Sequence, residues 1–304
     1  MSRPITNIGA SVRARLLNIS RSRGQDFQFT IQRYVAERFV YRLGVSPYRE
    51  RFILKGAMLF VLWDEAIHRP TRDLDLAGYW ADDADSLAAV FREICSLPDP
   101  SDGLAFAADA LEITPIRDGA EYHGFRIRMR VHLAGAVIPF QVDVGFGDAV
   151  VPEATDVDYP VLLDGATPRV RAYPKEAVLA EKLHAMTSLA EANSRFKDFF
   201  DVWLLSSRFP FAGDRITAAI AATFERRKSA ALSPWPVALS SPFYADPTRG
   251  QHWARYLTRS TLTDAPTDFP TVGGRVIAFF EAPIRALSTG GSFPATWAPG
   301  GPWA

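Results

Sequence analysis

Along the chain the spacing of hydrophobic and polar positions changes several times, and each change marks an element. Phe27, Ile31, Tyr34, Val35 and Phe39 recur at three- and four-residue steps, which predicts an amphipathic helix over Phe27–Leu43 closed by Gly44. A short apolar run at Phe52–Leu54 predicts a strand, then a glycine, Gly56, and a helix over Ala57–Trp63. Asp73–Gly78 alternates as a strand should, with Leu74 and Leu76 on one face and Asp73 and Asp75 on the other. Asp82 or Asp83 caps a helix running to about Leu97, and Leu111–Arg117 reads as a further strand. Residues 1–25 show no clear period and are expected to form a partly ordered arm.

The most informative pattern is a hairpin. FRIRMRVHL and VIPFQVDVGF both alternate, with Ala134-Gly135 between them. A two-residue turn there pairs Leu133 with Ala136, Val131 with Ile138, Met129 with Phe140 and Ile127 with Val142, every pair apolar. The same register sets Arg126 opposite Asp143 and Arg128 opposite Gln141 on the other face. A slip of one residue would pair arginine with phenylalanine, so the register is well specified.

Beyond a loop over Pro152–Pro168 the period becomes helical. Pro174 opens KEAVLAEKLHAMTSLAEA, and FKDFFDVWLLSS and DRITAAIAATFERR follow. The polar tail Gly290–Ala304 is expected to be loosely held. The fold class is therefore α/β (α+β), a small mixed β-sheet with an N-terminal helix and a following helical domain. The expected division is 1–170 and 171–304.

Composition narrows the class without choosing the chemistry. The single cysteine, Cys95, excludes an internal disulfide and any cysteine-rich metal site, and its helical setting favours a buried thiol. No stretch approaches the roughly 18 apolar residues of a membrane span, so no membrane partner and a cytoplasmic location are expected. Net charge is zero, yet Met1–Arg51 holds ten arginines against Asp26, Glu37 and Glu50, a local charge of +7. Such an arm either attracts polyphosphate or RNA or is a solvated helix face, and both readings stand.

Candidate chemistry begins with Asp73 and Asp75. Two carboxylates on one strand face repel each other unless a cation or water satisfies them, and paired oxygen ligands suit Mg²⁺. Alone, such a pair is more often surface charge. Placed after a strand, a glycine and a helix, it points to phosphoryl transfer. Gly56 lets backbone amides approach a ligand at a helix start, and otherwise simply makes a tight turn. Lys55 either helps to hold a triphosphate or ends the strand in solvent. Asp143 is a third carboxylate, able to deprotonate an attacking hydroxyl or share a metal; the bland reading is a cross-strand ion pair with Arg126. In the helical half, Lys182 with Asp198 or Asp201 forms either an inter-helix salt bridge or a phosphate contact oriented by an aspartate. The five histidines are scattered and receive no catalytic role.

LKGAMLF, RPTRDLDL, LAEKLHA and RFKDFFDVW, in this order, resemble the AbiEii/AbiGii nucleotidyltransferase-like toxins of the DNA polymerase β-like superfamily. The likeness extends from about residue 30 to 260. It implies a nucleotidyltransferase domain followed by a helical domain completing the site. It further implies Mg²⁺ or Mn²⁺ as cofactor, an NTP substrate, and transfer of NMP to an RNA acceptor, the tRNA 3′ end foremost. The setting implied is a type IV toxin–antitoxin or phage-defence system with a winged-helix antitoxin encoded nearby. Asp73 and Asp75 match the metal-binding acids, with Asp143 added from strand parity. Gly56 matches the glycine of the first motif, and Lys55, Ala57 and Arg72 flank the nucleotide. Lys182 and Asp198 match the lysine and acid of the helical motifs, and Arg126 and Arg128 are expected to meet RNA. One departure is Gly56-Ala57 in place of Gly-Gly or Gly-Ser, which puts a side-chain contact to the γ-phosphate in doubt. Two other readings stay open: nucleotidylation of a protein or small molecule by the same site, or a non-catalytic module binding NTP or antitoxin.

Overall fold

The structure, a computed structural model, describes residues 7–64, 71, 73–79, 83–117, 123–229, 235–262 and 264–304. Backbone contacts divide the chain into two compact units, Met1–Gly147 with Thr155–Ala172, and Asp148–Ala154 with Tyr173–Ala304.

The first unit is organised around one mixed sheet. Its strands are β1 (Phe52–Lys55), β2 (Asp73–Gly78), β3 (Leu104–Phe106), β4 (Glu112–Arg117), β5 (His123–Leu133), β6 (Ala136–Phe146), β7 (Thr155–Asp158) and β8 (Arg169–Ala172). The order is β3-β5-β6-β2-β1-β8-β7, with β4 also paired to β5. The β5–β6 hairpin adopts the predicted register throughout, from Leu133 opposite Ala136 to Arg126 opposite Asp143. Its turn residues, Ala134 and Gly135, both have positive φ (47° and 80°), the backbone twist that a two-residue hairpin requires. β7 and β8 were not foreseen. Each has four residues, too few to display an alternation, and β7 lies within the stretch expected to be loop.

Helices cover the sheet. α1 (Ile8–Ser22) starts at Asn7, whose Oδ1 accepts from the Ala10 amide at 2.9 Å. This corrects the partly ordered arm: Val12, Leu16 and Ser20 are buried at four-residue steps, and α1 packs on α2 (Phe27–Val45). The stripe is one side chain wide and ends in a serine, so it left little apolar signal. α2 bears the predicted stripe and runs one residue beyond Gly44. It is buried nearly all round, because β8, β6 and α4 (Ala84–Ser96) pack against it as well as α1. Asp83 supplies the α4 cap, accepting from the Ser86 amide at 2.7 Å. α3 (Leu59–Trp63) is a short helix after a tight turn at Gly56–Met58.

Burial of α2 changes the meaning of the basic segment. Arg38 and Arg42 are each 3% exposed. Arg38 pairs with Asp99 at 3.1 Å and Arg42 with Asp102 at 2.5 Å, while Arg33 bonds the fully buried Glu37 at 2.8 Å. Burial pushes the Glu37 carboxyl up, against the pull of Arg33 and of the Leu162 amide. Arg38 and Arg42 are therefore internal ion-pair partners, while Arg13, Arg21, Arg23 and Arg51 of the same segment remain exposed.

The second unit contains α5 (Lys175–Leu189), α6 (Phe196–Arg208), α7 (Gly213–Arg226), α8 (Ser241–Ala245), α9 (Pro247–Arg259) and α10 (Phe269–Thr289), plus a two-stranded ladder of β9 (Phe211–Ala212) and β10 (Thr296–Trp297). Pro174 stands at the N-cap of α5. The tail is not loose. Trp297 is 1% exposed, its indole donates to the Ser206 carbonyl at 2.6 Å, and the Trp303 indole donates to the Phe279 carbonyl at 2.8 Å. Two tryptophans in a polar, glycine-rich stretch were the overlooked sign. Among the described residues no helix is long and apolar enough to cross a membrane.

Candidate active site

Sheet register assembles the charged residues into two transverse rows. Lys55 on β1 pairs with Asp75 on β2, Asp75 with Asp143 on β6, and Asp143 with Arg126 on β5. The second row, two residues along, runs from Asp73 to Gln141 to Arg128. Paired residues share a sheet face, so these side chains emerge together while Leu54, Leu74, Leu76, Val142, Val144 and Ile127, each at most 1% exposed, anchor the opposite face. Adjacent strands lie roughly 4.8 Å apart, so Asp75 and Asp143 are like charges at neighbour distance, a costly arrangement. Lys55 and Arg126 bracket them at the two ends of the row.

The Arg126–Asp143 contact is bidentate, Nε to Oδ1 at 2.9 Å and Nη2 to Oδ2 at 2.7 Å. Those bonds hold the arginine above its ordinary range, with the negative field of Asp143, Asp73 and Asp75 adding to them. The Gln141 amide donates to Asp143 Oδ1 at 3.2 Å, and Arg128 donates to the Gln141 carbonyl oxygen at 3.2 Å. The predicted hairpin register puts Gln141 on this face opposite Arg128 but gives it no role. Among the described residues no three His, Cys, Asp or Glu side chains form a metal-holding group.

Gly56 is fixed by two constraints. Its φ is +72°, and a Cβ built there would lie 1.9 Å from Asp75 Oδ2. The glycine that ends β1 is thus what makes room for the second carboxylate. Ala57 is buried and, with Asp73, Thr71 and Arg33, lines a crevice of about 30 Å³, room for about one water. The methyl at the position of departure from the family pattern is therefore packed inside this narrow space. Arg72 lies outside the described residues.

In the second unit, Lys182 on α5 meets both aspartates of α6. Its Nζ is 3.1 Å from Asp198 Oδ1 and 2.5 Å from Asp201 Oδ2. Arg195 reaches Asp198 Oδ2 at 2.8 Å. Both carboxylates are 1% exposed and the lysine 14%. Burial pushes Asp198 up, but Lys182 and Arg195 outweigh it and hold the carboxyl below its usual range. Both acids are buried together with the apolar side chains of α6.

A family model described as nucleotidyl transferase AbiEii toxin, type IV TA system, matches residues 38–275. No curated protein matches the chain. Among solved structures, a Helicobacter pylori protein assigned as a nucleotidyltransferase shares 14% identity, covers 86% of this chain and 97% of its own, and superposes with a TM-score of 0.46. JHP933 from Helicobacter pylori shares 13%, covers 84% and 92% respectively, and gives 0.45.

Proposed function

The chain belongs to the AbiEii family of nucleotidyl transferase toxins of type IV toxin–antitoxin systems, and from that premise we propose that it transfers NMP from an NTP to an RNA acceptor, the tRNA 3′ end first among candidates. The observation that carries the reading is the row Lys55–Asp75–Asp143–Arg126 with Asp73 beside it and Gly56 beneath Asp75. A sheet has no structural need for adjacent carboxylates. A phosphoryl-transfer site has.

The donor set fits a hard divalent cation: all oxygen, on a rigid strand, with a glycine where a side chain would block it. Asp73 and Asp75 would hold Mg²⁺ or Mn²⁺, and Asp143 would join them only by giving up an oxygen from its two-bond contact with Arg126. Bound there, the cation would neutralise triphosphate charge. The chain's own residues account for the rest. Lys55 and the amides after Gly56 face the phosphates. An acceptor hydroxyl attacks the α-phosphorus, its O–P bond forms, the bond to the β-phosphate bridging oxygen breaks and pyrophosphate leaves. The hydroxyl proton passes to Asp143, whose Arg126 partner then has an excess positive charge available for phosphate. On the family resemblance, Lys182 is assigned to nucleotide phosphate with Asp198 orienting its ammonium. The partner assigned on the same ground is a winged-helix antitoxin.

Incubation with each labelled NTP, Mg²⁺ and total tRNA tests the proposal. Label on RNA that disappears with Asp73→Ala supports it. Label on protein bands instead moves the acceptor to protein. Equal labelling by wild type and Asp73→Ala sinks it.

A further inference from the structure

Several of the arginines expected to face RNA are engaged elsewhere, Arg126 with Asp143 and Arg38 and Arg42 of α2 with buried acids. α9 offers a different set. It carries Arg249, His252, Arg255 and Arg259 and no acidic residue. Arg249 is committed to Glu191 at 2.9 Å and to the Phe243 ring. His252, Arg255 and Arg259 follow at three- and four-residue steps along one helix face, and all are exposed. That face lines a groove of about 880 Å³ together with the start of α6, where Phe196 and the exposed Lys197 stand.

Among the described residues no acidic side chain lines this groove. Among the described residues Lys197, Arg255 and Arg259 take part in no salt bridge. Cations converging on one concavity raise its potential and favour a polyanion over a single phosphate. The groove also holds flat side chains: Tyr256 is half-buried against Trp253, their ring centroids 5.6 Å apart, and the His252 ring lies edge-on to Phe196 at 6.1 Å. Cations beside rings suit a single strand, whose phosphates take the charges and whose bases take the rings. A protein surface would need matching hydrogen-bond partners and would leave the rings without a stacking role.

We propose that the α6–α9 groove of the second unit is a docking site for single-stranded RNA, with Lys197, Arg255 and Arg259 on phosphates and Tyr256 and His252 against bases. The inference deepens the proposed acceptor chemistry and rests on it for the choice of RNA.

Fluorescence anisotropy of the full chain with a labelled single-stranded RNA oligonucleotide, without NTP or divalent metal, tests it. Three phosphate contacts give a slope of log K against log salt of about −2 for the wild type. Arg255→Ala/Arg259→Ala flattens the slope to about −0.7 and weakens binding roughly tenfold, with an unchanged melting temperature because both side chains are exposed. Arg255→Lys/Arg259→Lys retains most of the binding, since phosphate is read here as charge. Unchanged affinity in the alanine variant, or salt-independent binding by the wild type, overturns the proposal. So does an alanine variant that loses an acidic protein partner while still binding RNA. Because no NTP is present, the outcomes separate. Loss of RNA binding in the variant, with no RNA labelled by the wild type, overturns the transfer reaction and keeps the groove. Normal binding in the variant with RNA still labelled does the reverse.

Discussion

Two groups of carboxylates in this molecule look alike in the sequence and are built on opposite principles. Asp73, Asp75 and Asp143 stand partly exposed on a sheet face, like charges on neighbouring strands, with Arg126 bonded to one of them. Asp198 and Asp201 are buried and matched by Lys182 and Arg195. The first arrangement sets like charges side by side at a partly exposed face, where an incoming ion or phosphate ester can reach them. The second is nearly self-sufficient. Its charges satisfy one another, so its first contribution is to hold α5 on α6. Removing a member should therefore cost activity in the first group and stability in the second.

The largest expected effect is on the sheet face. Asp73→Ala should lower transfer by roughly 10³-fold or more, about 4 kcal/mol in barrier, while urea unfolding shows no loss of stability because a like-charge repulsion is relieved. A marked drop in stability with transfer intact would invert the comparison. Lys182→Met leaves two buried carboxylates with one partner fewer and should cost about 3–4 kcal/mol in the same unfolding experiment. If that variant is as stable as wild type and only NTP binding suffers, the phosphate contact proposed for Lys182 is the cluster's whole role and the contrast with the sheet face fails.

Gly56→Ala probes how the two principles meet at one residue. The added Cβ would collide with Asp75 and strain a backbone at φ +72°, costing about 1–3 kcal/mol and displacing the carboxylate, so stability and transfer should fall together. Acid sharpens the comparison further. The Asp198 carboxyl sits below its usual range in the folded chain, so its stabilisation is complete above the unfolded value of about 3.9 and is lost as pH falls through the depressed folded value. Urea midpoints at pH 7, 4 and 3 should show this loss for wild type and a shallower one for Asp198→Asn. The smallest effect is expected for Arg128→Ala, an exposed site where stability should change by no more than about 0.5 kcal/mol. A raised KM for the RNA acceptor in that variant would show that Arg128 meets RNA.

What could be read from the sequence was whatever depends on short-range periodicity. The β5–β6 register, the strand carrying Asp73 and Asp75, and helices α2, α4, α5, α6 and α7 were legible because their spacing is explicit. Arg126 opposite Asp143 followed from the turn alone. The elements that escaped were short, depended on distant partners or, like α9 and α10, carry prolines that interrupt the helical signal although each runs for thirteen residues or more. β7 and β8 are four-residue strands placed by pairing with β1 and each other. α1 has a stripe one residue wide, and the tail is tied by tryptophans to residues far back in the chain.

By itself, then, the sequence determined local geometry and the family motifs, since alternation and helical period dictate which side chains share a face. Tertiary structure decided which charges are spent. Arg42 and Asp102 are sixty residues apart, as Arg38 and Asp99 nearly are, and nothing in the local spacing says that each buries the other. Burial of an ion requires a counter-ion, and the chain meets that requirement only when folded. Among the described residues the same selection leaves Lys197 on α6 and Arg255 and Arg259 on α9 outside any such pairing, on helices whose basic residues did not stand out beside the richer segment at the start of the chain.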